Sequence, residues 1–142
     1  MPKLELRDAD GSTLCFVVTG TSEHEVNYLV AIDVGWARAT AEVSTYLYGP
    51  PVAFFKSLAE SWRGWDGEKK WEDLEHRVGF AATCDRTGHI TIKVQVQDSQ
   101  YSGRAVLSIH FEAGGLEAMA RRIEMFFSQA LPNTSFERTR EG

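Results

Sequence analysis

The chain predicts an α+β domain: a mostly antiparallel sheet of six to seven strands with two helices packed on one face. Three observations carry that reading. Apolar residues alternate with polar ones at a period of two through seven windows of the 142-residue chain, the spacing that sends alternate side chains to opposite faces of a strand. Two windows, 51–63 and 115–130, switch to the three- and four-residue spacing of a helix with one apolar stripe. Short segments rich in Asp, Gly and Ser join most strand windows, and strands joined by such turns are antiparallel. Two one-sided helices then need a sheet face to cover.

The elements follow in order. Residues 4–8 and 13–20 flank Asp8-Ala9-Asp10-Gly11-Ser12, the composition of a hairpin turn. Window 25–34 places Val26, Tyr28, Val30, Ile32 and Val34 on one face, and after Gly35 window 37–48 returns with Ala39, Ala41, Val43, Thr45 and Leu47 together. Gly49-Pro50-Pro51 stops that strand and suits a helix start, because proline is tolerated in the first turn. Val52, Phe55, Leu58, Ala59 and Trp62 then share a helical stripe that Gly64 ends, so Trp62 is expected to face inward. The loop Asp66-Gly67-Glu68-Lys69-Lys70 separates Trp65 from Trp71.

The second half is cleaner. Window 76–84 sets Val78, Phe80, Ala82 and Cys84 on one face, and Asp85-Arg86-Thr87-Gly88 makes a tight turn with glycine where a positive φ is needed. Window 89–97 alternates strictly, with Ile90, Ile92, Val94 and Val96 inward and Thr91, Lys93 and Gln95 outward. Window 104–112 repeats the pattern through Ala105, Leu107, Ile109 and Phe111. The last helix carries Leu116, Met119, Ala120, Ile123, Phe126, Phe127 and Ala130 on one stripe before Pro132. One domain over 1–131 and a flexible C-terminal tail over 132–142 are expected, with no internal repeat visible in the sequence.

Composition narrows the function classes. The apolar share of 43% and charged share of 25% are those of an ordinary globular protein, and no run is long and apolar enough for a membrane span. No apolar block follows the first lysine as a secretory leader requires, so a cytoplasmic protein is expected. There the Asn133-Thr134-Ser135 triplet carries no sugar, and Cys15 and Cys84, too distant for a redox pair, read as small buried apolar groups. The net charge of −5, with no basic cluster larger than the pairs Lys69-Lys70 and Arg121-Arg122, argues against nucleic acid and for a basic protein surface as partner.

Catalytic patterns are missing. His24-Glu25-Val26-Asn27-Tyr28 begins like the zinc-protease HExxH but has tyrosine where the second histidine must stand, and it lies in a strand window. No metal, cofactor or catalytic residue is predicted. His89 and His110 can share one side of adjacent strands with Asp85 near, the parts of an acid–base pair, yet a histidine on a solvated sheet face needs no such role. Trp62, Trp65 and Trp71 read first as rings closing the core. The alternative is a ligand platform made of Trp65, Trp71, Arg63 and His89.

The segment 57–96 resembles the central motif of a small bacterial family of unknown function. Its features are W-x-G-W-x-G, here Trp62, Gly64, Trp65 and Gly67, then Trp71, then D-x-x-G-H, here Asp85, Gly88 and His89. The order of strands, helix, three strands and helix is also similar to Wap-type immunity proteins, which neutralise toxins in bacterial competition. That likeness implies a non-enzymatic protein-binding domain, immunity-like, covering a basic toxin. The alternative is a small-molecule-binding domain or cryptic enzyme with its site near the Trp65 loop.

Overall fold

Alternation decides where the strands lie, and hairpin turns decide how they pair. The structure is a computed structural model describing residues 2–130; the expected tail over 132–142, with its Asn133-Thr134-Ser135 triplet, lies outside the described residues. Strands β1 (Lys3–Arg7), β2 (Thr13–Thr21), β3 (Val26–Asp33) and β4 (Arg38–Ser44) form an antiparallel sheet in the order β1-β2-β3-β4. Helix α1 (Val52–Glu60) follows. Strands β5 (Lys69–Glu72), β6 (Val78–Cys84), β7 (His89–Gln97) and β8 (Arg104–Glu112) form a second antiparallel sheet in the order β5-β6-β7-β8, and a short 3-10 turn leads into helix α2 (Leu116–Ala130).

The expectation of one sheet with six to seven strands is therefore corrected to two sheets of four. A period of two is a local property, and it does not say which hairpins share hydrogen bonds across the chain. The strand missing from the count is β5, Lys69-Lys70-Trp71-Glu72, which shows only one apolar ring and reads as a charged loop. The order of four strands followed by a helix thus occurs twice, although no repeat is visible in the residues.

The inward rows of both sheets meet in one core. Leu14, Phe16, Tyr28, Val30 and Ile32 from the first sheet, and Phe80, Ile90, Ile92, Val94 and Ile109 from the second, are buried together with Phe55, Leu58, Ile123 and Phe127 of the helices. Ile90, Ile92, Val94 and Val96 are buried while Thr91 and Gln95 are half-buried and Lys93 is exposed, so no described element covers the outer face of the second sheet. The helices pack on each other, and each also reaches the first strand of the other half, α1 on β5 and α2 on β1. Phe127 sits at the junction, its ring 5.0 Å from Tyr28 and 5.9 Å from Phe16 in edge-on contacts. Among the described residues no helix is long and apolar enough to cross a membrane.

Inward expectations fail at Trp62 and Leu47, and Cys15 and Cys84, expected to be buried, are only half-buried. The helix stops at Glu60, where the Ser61 amide turns back to the Ser57 and Leu58 carbonyls, one turn before Gly64. Trp62 falls beyond the stripe and is 56% exposed. Likewise β4 ends at Ser44, so Leu47 does not share its inward face.

Candidate functional site

Four hairpin turns of this chain are built alike. Each begins with an aspartate whose carboxylate accepts the amide two residues on: Asp8 from Asp10, Asp73 from Glu75, Asp85 from Thr87 and Asp98 from Gln100. Each main-chain carbonyl of those aspartates accepts the amide three residues on, from Gly11, His76, Gly88 and Tyr101. That third residue is left-handed in all four turns. Gly11 and Gly88 take that conformation without steric cost; His76 at φ 57° and Tyr101 at φ 57° each carry a side chain there, at about 1–2 kcal/mol.

The two glycine turns and the two strained turns lie at opposite ends. The strained ones, joining β5 to β6 and β7 to β8, lie beside each other at one end of the second sheet, and Tyr101 Oη donates to the Glu75 carbonyl at 2.6 Å. The third non-glycine residue with positive φ, Leu47 at 62°, lies at the same end in the segment between β4 and α1. It is 73% exposed and stands between the exposed Tyr46 and Tyr48. All three strained residues of the described chain thus gather at one end, where they hold three tyrosines and a leucine toward solvent. Strain of this kind concentrates at functional sites.

A cleft of about 390 Å³ opens between Tyr46 and Ser44 on one side and Asp73, Leu74 and Glu75 on the other, with Glu25 and Asn27 behind. Three of its lining residues are carboxylates, and none of them forms an ion pair within the described residues. Asp73 is buried and committed to the amides of Glu75, Arg77 and Val78, while Glu25 accepts the Ser44 hydroxyl at 2.8 Å. Asp98 in the neighbouring turn is held below the usual carboxylate range, chiefly by the Ser102 hydroxyl and then by the Gln100 amide. Tyr28 on β3 is fully buried; burial pushes its hydroxyl far up, and the Asp73 charge pushes the same way.

Tyr48 turns toward a second, wider depression of about 630 Å³ on the outer face of the second sheet. Gly79 and Ala81 of β6 form its shallow floor, between Lys70 and Glu72 of β5 and Lys93 and Gln95 of β7. The Trp71 indole N–H is buried at its margin without a partner among the described residues. Tyr46 thus lines one depression and Tyr48, two residues on, lines the other.

The residues singled out from the sequence fall in different places. Trp65 is half-buried, packs on the core, and donates its indole N–H to the Ala82 carbonyl at 3.1 Å, with Lys69 over its ring. Trp71 packs on Phe80 with ring centres 5.1 Å apart. Arg63 lies over the exposed Trp62 ring. His89 sits at the glycine-turn end, bonded to Thr87 and paired with Asp85 and Glu112, with no hydrogen bond or ion pair to Arg63, Trp65 or Trp71. His110 instead meets Thr91 at 3.1 Å. Three turn bonds hold the Asp85 carboxylate down to about 2, the Thr87 hydroxyl first and then the His89 and Thr87 amides. Among the described residues no three His, Cys, Asp or Glu side chains gather as a metal site.

Tyr46, Leu47, Tyr48 and Tyr101 escape sequence reading. The first three continue the alternating window of β4 and look like strand. The signal in the sequence is the spacing of Asp98 and Tyr101, which places tyrosine where Gly88 stands three residues after Asp85.

A family model described as "Family of unknown function (DUF6228)" matches residues 6–130, and the chain belongs to that family. No curated protein matches the chain.

Proposed function

We propose that this family member is a non-enzymatic protein-binding domain that takes a basic partner on its strained-loop end. The observation that carries the reading is the meeting of Leu47, His76 and Tyr101, all left-handed, around exposed tyrosines and a carboxylate-lined cleft. Tyrosine supplies large contact area at low entropic cost, and exposed aromatic clusters mark protein-binding surfaces. Glu25 and Glu75, without an ion pair among the described residues, and the net charge of −5 favour a lysine- or arginine-rich surface over an acidic one. An immunity-like role, covering a basic toxin, is the specific form of this proposal.

The test is a titration of isotope-labelled protein with an arginine-rich peptide and, separately, with a glutamate-rich peptide of equal length. Amide shifts confined to 44–49, 73–77 and 98–103, with the basic peptide alone, are expected. Shifts scattered over the surface, or equal responses to both peptides, defeat the proposal.

One observation favours a second reading, a small-molecule site. The 630 Å³ depression is of ligand size, and the buried Trp71 N–H at its margin has no partner among the described residues. Its charged walls and open shape suit an extended peptide better than an enclosed organic ligand.

A further inference from the structure

Every open sheet exposes two edges whose amides and carbonyls invite another strand, and folded proteins blunt them. Two edges of this molecule are visibly occupied. On β1 the Glu5 carbonyl accepts the Arg122 guanidinium of α2 at 2.9 Å. On β8 the His110 amide is taken by Asp8 at 3.1 Å. The edge of β5 is only four residues long.

Strand β4 is different. The bonds Val34 N–H to Ala37 and Thr45 N–H to Val26 fix which of its residues face β3: Ala39, Ala41 and Val43 turn their main-chain groups inward. The amides and carbonyls of Arg38, Thr40 and Glu42 therefore point away from the sheet, and among the described residues none of them is hydrogen-bonded. Their side chains are exposed. Beside them, at the tip of the β3–β4 hairpin, Trp36 is 85% exposed, the most exposed of the large apolar side chains among the described residues.

The order of charges on this edge matches itself. Antiparallel pairing of β4 with a second β4 about Thr40 sets Arg38 opposite Glu42 twice and Thr40 opposite Thr40, both favourable cross-strand pairs. The same register sets Trp36 opposite Ser44, whose side chain lines the carboxylate cleft. Strand β8 has a similar arrangement, Arg104 and Glu112 about Ser108, but there Asp8 consumes the His110 amide that the pairing requires.

We propose that this chain forms a twofold dimer through antiparallel pairing of β4 with β4 of a second copy. The dimer joins the two first sheets into one of eight strands and brings Trp36 of each copy to the mouth of the other's cleft. A closed isologous pair also removes the exposed edge, which an open-ended contact would not.

Sedimentation of the full chain over a concentration series tests this. Wild type is expected at twice the chain mass. Thr40→Pro removes the central amide at an edge position that proline tolerates, and is expected at the single chain mass with unchanged circular dichroism. Arg38→Glu and Glu42→Arg are each expected to be monomeric, and an equimolar mixture of the two is expected to recover the dimer, because every cross-strand pair is again opposite in sign. A wild type monomeric at its highest soluble concentration overturns the proposal, even if it captures an extended peptide on β4. So does a Thr40→Pro dimer, or a mixture that stays monomeric.

Discussion

Replacing Trp62 and Trp65 with alanine separates the presented ring from the packed one. Trp62 lies past the end of α1 and is 56% exposed, with Arg63 over its ring. Its removal exposes no core, so a loss below about 0.5 kcal/mol is expected. Trp65 is half-buried against the core and spends its indole N–H on Ala82. Deleting a fully buried large ring costs about 3–5 kcal/mol, and half burial brings that to about 2 kcal/mol. The lost hydrogen bond adds about 1 kcal/mol. The total of about 3 kcal/mol, at a urea dependence of about 1.5 kcal/mol per molar, lowers the unfolding midpoint by about 2 M. Trp65→Phe keeps most of the ring and should lose the hydrogen-bond share with a smaller packing loss. Equal midpoints for Trp62→Ala and Trp65→Ala would refute the assignment of these rings.

Two further outcomes follow from buried and turn groups. Because the Asp85 pKa is depressed from 3.8 to about 2, its turn bonds stabilise the fold fully above about pH 4 and are lost as pH falls toward 2. Carbon-detected titration should place its midpoint near 2, and Asp85→Asn should flatten the acid limb of the stability curve; an ordinary midpoint near 3.8 would show that the turn does not hold the carboxylate. Tyr28→Phe removes a buried hydroxyl that has no partner among the described residues and should raise stability by about 1 kcal/mol in thermal unfolding. A loss of that size would instead mean that the hydroxyl is hydrogen-bonded in solution.

What could be read from the chain was whatever repeats over several residues. The alternation of Ile90 to Val96 and the stripe from Leu116 to Phe127 involve many side chains each, and both match the buried faces. Gly88 at positive φ was legible because the turn composition calls for it. The misreadings concern single residues or distant partners. Four residues of β5 give no period, and nothing local says that β5 pairs with β6 and not with β4. Trp62 leaves the stripe because two backbone bonds at Ser61 end the helix before the glycine does. The site stayed hidden for both reasons. Its residues are set by left-handed conformations at single positions, and its loops converge only once the two sheets pack.

The four aspartate turns supply an internal control on the site. Asp8 and Asp73 open the two halves of the fold, each buried and each holding the amides of its own turn. The Asp8 turn has glycine at its left-handed position and closes directly on the His110 amide of β8. The Asp73 turn has His76 there and faces Ser44, near the end of β4, across a cleft. If both were only structural, glycine would serve both, since histidine at this φ costs about 1–2 kcal/mol. Glycine returns about 0.5–1 kcal/mol of that through the greater freedom of its unfolded chain. The exposed His76–Glu72 pair adds little to stability. His76→Gly is therefore expected to stabilise the protein by about 0.5–1 kcal/mol in urea unfolding, and to weaken the response of 44–49 and 73–77 to the arginine-rich peptide. Stability gained together with binding lost would show that the strain is kept for the surface it presents. A destabilised variant would show that His76 holds the turn, and the strained end would then be architecture, with no claim to function.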